Sequence, residues 1–198
     1  MKISLTAEQI KSRLNSRINY PVRSFPVKGK YAAVLMPLIH EKSQWSILFT
    51  RRSDSVNDHK GQVSFPGGAI EPTDDSPLTA ALREAEEEIG LKPDYVQVLG
   101  QLLPHESVTG YTIFPVVAQI QWPVPLKINP SEVSRVFTIP LDWLIKKENF
   151  VIRDWLSPFG LRRGVVFYRP YDGEQLWGIS ARILLDFLEK LGLVSTND

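Results

Sequence analysis

Four glutamates, Glu84, Glu86, Glu87 and Glu88, close a stretch that follows Gly67-Gly68 and Asp74-Asp75. On a helix turning ~100° per residue, Glu84, Glu87 and Glu88 share a sector ~100° wide, while Glu86 lies on the far flank near Arg83. Like charges at i,i+3 and i,i+4 repel, and the C-terminal end of a helix already carries partial negative charge. A hard divalent cation, Mg²⁺ or Mn²⁺, relieves that repulsion with the oxygen ligands it prefers. The competing reading is a solvated acidic face, and the glutamates alone leave the two open. A run of repelling charges on an otherwise well-formed helix next to a Gly-Gly turn is a break in local design rules, which tilts the reading toward function.

The element that must carry these carboxylates is well punctuated. Ser76 is a good N-cap, Pro77 suits the first helical position and Gly90 is the expected stop, so a helix over 77–89 is predicted. Leu78, Ala81, Leu82, Ala85 and Ile89 form one apolar stripe for packing on a sheet.

Composition narrows the partners. The chain has 198 residues, the length of one domain able to bury a sizeable core. Lys plus Arg number 23 and Asp plus Glu 22, a formal charge of +1. That leaves no global basic footprint for nucleic acid or a membrane surface, so any charge logic must be local. There is no cysteine, so disulfides, thiolate nucleophiles and Cys-ligated zinc are excluded. His40, His59 and His105 have no zinc-site spacing. No signal-like start or run of about 18 apolar residues occurs, which makes a cytoplasmic protein the expectation.

Along the chain, Thr6 with Gln9 reads as a capping box for a first helix that turns Ile10, Leu14 and Ile18 inward. Strands are predicted over residues 31–39 and 44–52, then 96–103 and 111–121, with Pro115 implying an edge or a bulge. Residues 132–138, 151–155 and 165–168 also read as strands, and a short helix starts at Pro140. Asp172-Gly173 is a hairpin-type turn signal. A last helix carries Ile179, Ile183, Leu184, Phe187, Leu188 and Leu191 and stops at Gly192. Interleaved strands and helices predict an α/β layered fold, a mixed sheet between helices. Residues 1–198 form one domain in this reading, with 1–29 a helix and linker packed on it.

The run from Gly68 to Leu91 resembles the Nudix box: Gly, five residues, Glu, seven residues, then Arg-Glu-apolar-x-Glu-Glu-x-Gly-apolar. Its second half matches fully as Arg83-Glu84-Ala85-Glu86-Glu87-Glu88-Ile89-Gly90-Leu91. In the first half Asp75 replaces Glu and stands one residue too far from Gly68. Upstream, Leu48-Phe49-Thr50-Arg51-Arg52-Ser53 and His59-Lys60-Gly61-Gln62-Val63-Ser64-Phe65-Pro66-Gly67-Gly68 resemble the extra motif of the coenzyme A diphosphatase branch. Val56-Asn57 stands where that motif usually carries Leu-Arg. Gly110-Tyr-Thr-Ile-Phe-Pro-Val-Val, Asn129-Pro-Ser-Glu-Val and Leu176-Trp-Gly-Ile-Ser-Ala-Arg are similar to the same branch.

The resemblance implies a Nudix-type α/β/α sandwich and Mg²⁺- or Mn²⁺-dependent hydrolysis of CoA or an acyl-CoA to 3′,5′-ADP and (acyl-)4′-phosphopantetheine. It implies Glu84, Glu87 and Glu88 as metal ligands, with the Gly68 carbonyl as a fourth, and Glu132 as the group that positions water. Glu132 has a competing reading as a salt bridge to Arg135. One of Arg51 and Arg52 is expected to meet substrate, since alternation lets one of the pair face the site. His59 and Gln62 are expected either to touch substrate or to brace their loop. Arg83 is expected to pair with Glu87 or a loop carboxylate, and Trp177 to serve as core or as a base-stacking ring. Two other readings stand beside this one: hydrolysis of ADP-ribose, NADH or a dinucleoside polyphosphate, and a non-catalytic nucleotide-binding module. A monomer and a homodimer both agree with the sequence.

Overall fold

The structure is a computed structural model that describes residues 3–14, 26, 29–54, 61–157 and 160–196. Thr6 caps α1 (Ala7–Arg13) through a reciprocal box with Gln9. Leu14 leaves that helix in an extended conformation, so α1 is shorter than expected, and Ile18 lies outside the described residues. Ile3, Ile10 and Leu14 nevertheless join one apolar cluster with the C-terminal helix.

The centre, among the described residues, is an eight-stranded mixed sheet. β1 (Lys30–Glu41) pairs antiparallel with β2 (Gln44–Arg52) and parallel with β7 (Tyr111–Ile120). β3 (Val63–Ser64) and β8 (Val133–Pro140) both pair with β2, and β4 (Gly67–Ala69) pairs with the start of β1. β5 (Val96–Gln101) and β6 (His105–Glu106) share the far side of β7. Residues of β1 alternate between the two faces. Ala33 and Leu35 join the cluster under α2 (Pro77–Ile89), whereas Met36 and Leu38 join the one under α3 (Leu141–Leu144) and α4 (Gly178–Lys190). The sheet is therefore sandwiched between helices, as period-2 patterning requires when both faces are covered. A separate hairpin, β9 (Phe150–Ser157) and β10 (Gly160–Tyr168), packs against α4 and is longer than the sequence segments that signalled it.

Pro115 departs from expectation, since β7 is an interior strand. It falls opposite the break between β5 and β6: β5 ends at Gln101 against Val116, and β6 begins at His105 against Ile113. The Pro115 carbonyl accepts from the Leu102 N–H at 3.1 Å, so that edge of the residue faces the interruption, where a missing donor costs nothing.

The helix that carries the acidic run matches its predicted span, and its N-cap box joins Ser76 and Thr79. Its buried residues are Pro77, Ala80, Ala81, Ala85, Glu88 and Ile89, while Leu78 and Leu82 are half-buried. The buried arc is thus rotated by roughly 60° from the predicted apolar stripe, which places Glu88 near its middle and Glu84 within it. Small alanines let the helix approach the sheet closely enough to take the carboxylates along. At the other end Gly90 is left-handed (φ 68°), and the Gly90 and Leu91 N–H groups bond back to the last turn. The Lys127 and Asn129 N–H groups donate to the Ile89 and Glu88 carbonyls at 2.8 and 2.9 Å, so a strap from residue 127 onward covers the helix end.

A Cβ at position 90 would stand 2.8 Å from the Lys127 nitrogen, on a backbone that already disfavours side chains. Gly90→Ala is expected to cost about 2 kcal/mol, a Tm loss of about 4–8 °C in a domain of this size. A thermal melt checks this, and an unchanged Tm would mean that the strap is not seated on Gly90.

Candidate active site

The acidic face of α2 meets β4. Leu35 N–H donates to Pro66 O and Ile70 N–H to Tyr31 O, so odd residues of β1 turn their polar groups toward β4. By the alternation of an antiparallel ladder, Gly68 then faces Ala33, and Gly67 turns its N–H and C=O the other way. The Gly67 N–H accordingly donates to Glu88 Oε2 at 3.2 Å. The backbone edge turned toward the acidic helix is therefore that of Gly67 rather than that of Gly68. Strand alternation, rather than place in the motif, decides which carbonyl points outward. Both positions need glycine: a Cβ on Gly67 would stand 2.3 Å from Ala33 O, and one on Gly68 would stand 2.5 Å from Glu84 Oε2.

Glu88 is almost wholly buried, with 3% of its side chain exposed. Burial pushes its carboxyl up to about 8, against a downward pull from the Gly67 N–H and from Arg52, and with Glu84 and Glu132 pushing it further up. Burial also raises Glu84, which feels Glu87 and Glu132 as well. Glu87 stands further out, with 54% of its side chain exposed, and Glu86 is exposed on the opposite flank. Two of the three expected ligands are thus drawn inward and the third sits at the rim.

Arg83 organises this face. Its Nη1 reaches Glu84 Oε1 at 3.0 Å and Glu87 Oε2 at 3.2 Å, and its Nη2 reaches Asp74 Oδ2 at 3.0 Å and Ala69 O at 3.1 Å. Burial raises the Asp74 carboxyl, but Arg83 and a backbone bond with Glu71 outweigh it and hold it low. The hydrogen bond to Asp74 in turn raises the Arg83 guanidinium further above its ordinary value. The loop after β4 is clamped to α2 by this one side chain, as expected of a loop carboxylate partner.

Arg51 and Arg52 separate as alternation requires. Arg52 Nη1 lies 3.8 Å from Glu88 Oε1, and its buried Nε has no hydrogen-bond partner among the described residues. Arg51 turns to Ser134, Asp54 and Glu174 instead. The Gln62 carbonyl accepts from the Arg52 N–H at 3.0 Å, so the backbone of Gln62 braces that strand end. His59 and Asn57 lie outside the described residues.

Glu132 comes to the site on the strap that covers α2. Asn129 Nδ2 donates to Glu132 Oε1 at 2.9 Å, and the Asn129 carbonyl accepts from the N–H groups of Glu132 and Val133 at 3.1 and 2.9 Å. The competing salt bridge does not form, because Arg135 is taken by Asp172 and Glu174. Sequence reasoning missed the tasks of Gly67 and Asn129. Asn129 stood in a quoted segment, but nothing local says that its backbone will cap a helix forty residues earlier.

Hard oxygen donors of net negative charge, one of them buried at a cost, suit Mg²⁺ or Mn²⁺. In the arrangement seen, no three acidic or histidine side chains among the described residues converge at ligating positions. Glu84 and Glu87 are both engaged by Arg83 in this arrangement. The residues present fit such an ion by type.

The NUDIX domain model matches residues 29–157. An uncharacterized Nudix hydrolase, NudL, of Photorhabdus laumondii is 38% identical over 173 residues, covering 87% of this chain and 91% of that protein. The uncharacterized Nudix hydrolase NudL of Escherichia coli (strain K12) is 37% identical over 193 residues, covering 96% and 97%. The crystal structure of a MutT/nudix family protein from Enterococcus faecalis superposes with a TM-score of 0.56 at 15% identity, covering 85% of this chain and 64% of that one. That likeness concerns the fold.

Glu88 gives a signed pH dependence. Its folded carboxyl, near 8, binds a proton more tightly than the ordinary 4.5 of an unfolded chain. Without divalent ions the folded state therefore loses stability as pH rises from about 4.5 to about 8. Glu88→Gln removes this loss, so with a chelator present its Tm advantage over wild type should grow across that window, by about 2–4 °C per kcal/mol. Thermal melts at pH 5 and 8.5 test it; a pH-independent difference would refute the uncompensated burial of Glu88.

Proposed function

The chain belongs to the NUDIX family of hydrolases, which act on pyrophosphate bonds, and from that premise we propose that its substrate is CoA or an acyl-CoA. Hydrolysis of the diphosphate bridge would release 3′,5′-ADP and (acyl-)4′-phosphopantetheine. The observation that carries a diphosphate substrate is Arg52, a guanidinium with a buried unpartnered Nε set beside a carboxylate cluster. A phosphate oxygen is the partner its forked donors match. The choice of CoA rests on the segments 48–68, 110–117, 129–133 and 176–182.

Nudix hydrolases need divalent metal ions. Glu84, Glu87 and Glu88 with the Gly67 carbonyl are the proposed holders here, Mg²⁺ or Mn²⁺ the proposed ion. A bound ion supplies charge neutralisation at the phosphate oxygens and a more acidic water. The chain's own residues do the rest. Arg52 binds and orients one phosphate against Glu88. Glu132 is the proposed general base: Asn129 holds one carboxylate oxygen, which leaves the other to take a proton from the attacking water. Arg83 fixes the end of β4 and the loop after it, so the donors keep their spacing as substrate enters.

A second reading, hydrolysis of ADP-ribose, NADH or a dinucleoside polyphosphate, is favoured by Asn57, which stands where the CoA-branch motif usually carries arginine.

Product analysis decides between them. Incubation of CoA with enzyme and Mg²⁺ or Mn²⁺ should yield 3′,5′-ADP; cleavage of ADP-ribose or a dinucleoside polyphosphate with CoA left intact would sink the CoA reading. Glu84→Gln is expected to lower kcat by at least about 100-fold with the fold retained by circular dichroism, and wild-type turnover would remove Glu84 from the ligand set. Asn129→Asp, which turns a donor into a charge facing Glu132, is expected to lower kcat by roughly 10–100-fold.

A further inference from the structure

Trp155, Phe167 and Trp177 form an aromatic cluster that belongs to neither apolar core. In the β9–β10 register Trp155 stands opposite Arg162, and Arg153 opposite Val165. Alternation places Arg153, Trp155, Arg162 and Phe167 on one face of the hairpin. Trp177 joins that face through an antiparallel bridge with Phe167. Its ring stacks on Phe167 at 5.6 Å and 4°, and Trp155 meets it edge-to-face at 5.0 Å and 74°. The Arg153 guanidinium covers Phe167 at 4.7 Å.

All three rings are half-buried, so solvent reaches a cluster that a core would have closed. Phe167 lies between Arg153 and Trp177. Trp155 differs: in an edge-to-face pair it offers Trp177 either its rim or one face, and so keeps at least one face outside the cluster. Trp155 has Arg162 as its cross-strand neighbour.

The cluster is tied to the end of β2, the strand that carries Arg52. Glu174, three residues before Trp177, bonds Arg135 Nη1 at 3.2 Å and lies 3.5 Å from Arg51 Nε. Arg51 and Arg135 are cross-strand partners, so Glu174 bridges two like charges. Arg51 immediately precedes Arg52, which faces Glu88. Three extended residues span at most about 10 Å, which bounds the distance from Trp177 to Glu174.

We propose that the free face of Trp155, buttressed by Trp177 and Phe167, stacks the purine base of the substrate, with Arg162 and Arg153 meeting a ribose phosphate. Any base has a π-face for such a ring, and arginine beside it complements phosphate. The assignment rests on the diphosphate reading above and names where the nucleotide half would lie.

The test uses adenosine 3′,5′-bisphosphate as a calorimetric probe and CoA as substrate. Trp155→Ala should weaken binding of the bisphosphate about tenfold or more and raise KM for CoA similarly, with kcat within about twofold; Trp155→Phe should keep most of the affinity. Arg162→Ala, at a hairpin surface that should fold regardless, should weaken the 3′,5′-bisphosphate more than 5′-AMP. Unchanged binding and KM in both Trp155→Ala and Arg162→Ala overturn the proposal while leaving CoA hydrolysis standing. Bisphosphate binding that depends on Trp155, in a protein that does not cleave CoA, supports the platform and refutes the substrate. A concentration-dependent dimer lost in Trp155→Ala, with nucleotide affinity intact, overturns it in favour of a self-association face.

Discussion

Burial of Glu88 against Gly67 is the constraint on which the rest of the site depends. A carboxylate with 3% of its side chain exposed, held by one backbone N–H and a guanidinium at 3.8 Å, is poorly compensated. The fold accepts this because α2 is held to the sheet by features that do not involve the carboxylate. Ala80, Ala81, Ala85 and Ile89 pack on one side, the Ser76 box secures the N-terminus, and the 127–129 strap secures the C-terminus. Substituting either glycine of β4 would push that strand off β1 or off Glu84. The close approach of strand and helix and the strain at the carboxylate are therefore two sides of one packing arrangement.

Two networks transmit that arrangement to the surrounding loops. Arg83 is a single cation shared by Asp74, Glu84, Glu87 and the Ala69 carbonyl, so it screens the acidic face and fixes the loop after β4 at once. On the other side of β2, Glu174 gathers Arg51 and Arg135, and Asp54 and Asp172 flank them. This second network leaves Arg52 as the guanidinium of the adjacent pair that turns toward Glu88. It also anchors the turn before α4 to the strand that carries Arg52. The residues nearest the chemistry are thus fewer than the residues that decide where they point.

Much of the site was legible in the chain because its signals are local. Ser76, Pro77 and Gly90 delimit α2 through capping preferences that act within one turn, and the spacing of Glu84, Glu87 and Glu88 follows from helical period alone. The choice between Arg51 and Arg52 was framed by strand alternation, but the sequence could not say which one faced inward. Ser134, the extra residue of β8 opposite the pair, and the distant Glu174 hold Arg51 and leave Arg52 to Glu88. The Arg83 clamp was anticipated as a class of contact; its partner Asp74 depended on the path of the intervening loop.

By itself the sequence determined the helix, its acidic face, the alternation of the strands and the family to which they belong, since periodicity and capping are short-range and a motif survives as spacing. Tertiary structure alone decided that the buried arc of α2 is turned toward Glu88, because the arc is set by how closely alanines let the helix approach the sheet. It decided that the N–H of Gly67 reaches Glu88, because ladder parity is fixed by pairing with β1. It also brought Asn129 and Glu132 to a helix end some forty residues away, through backbone hydrogen bonds that any sequence could make and that only the assembled fold selects.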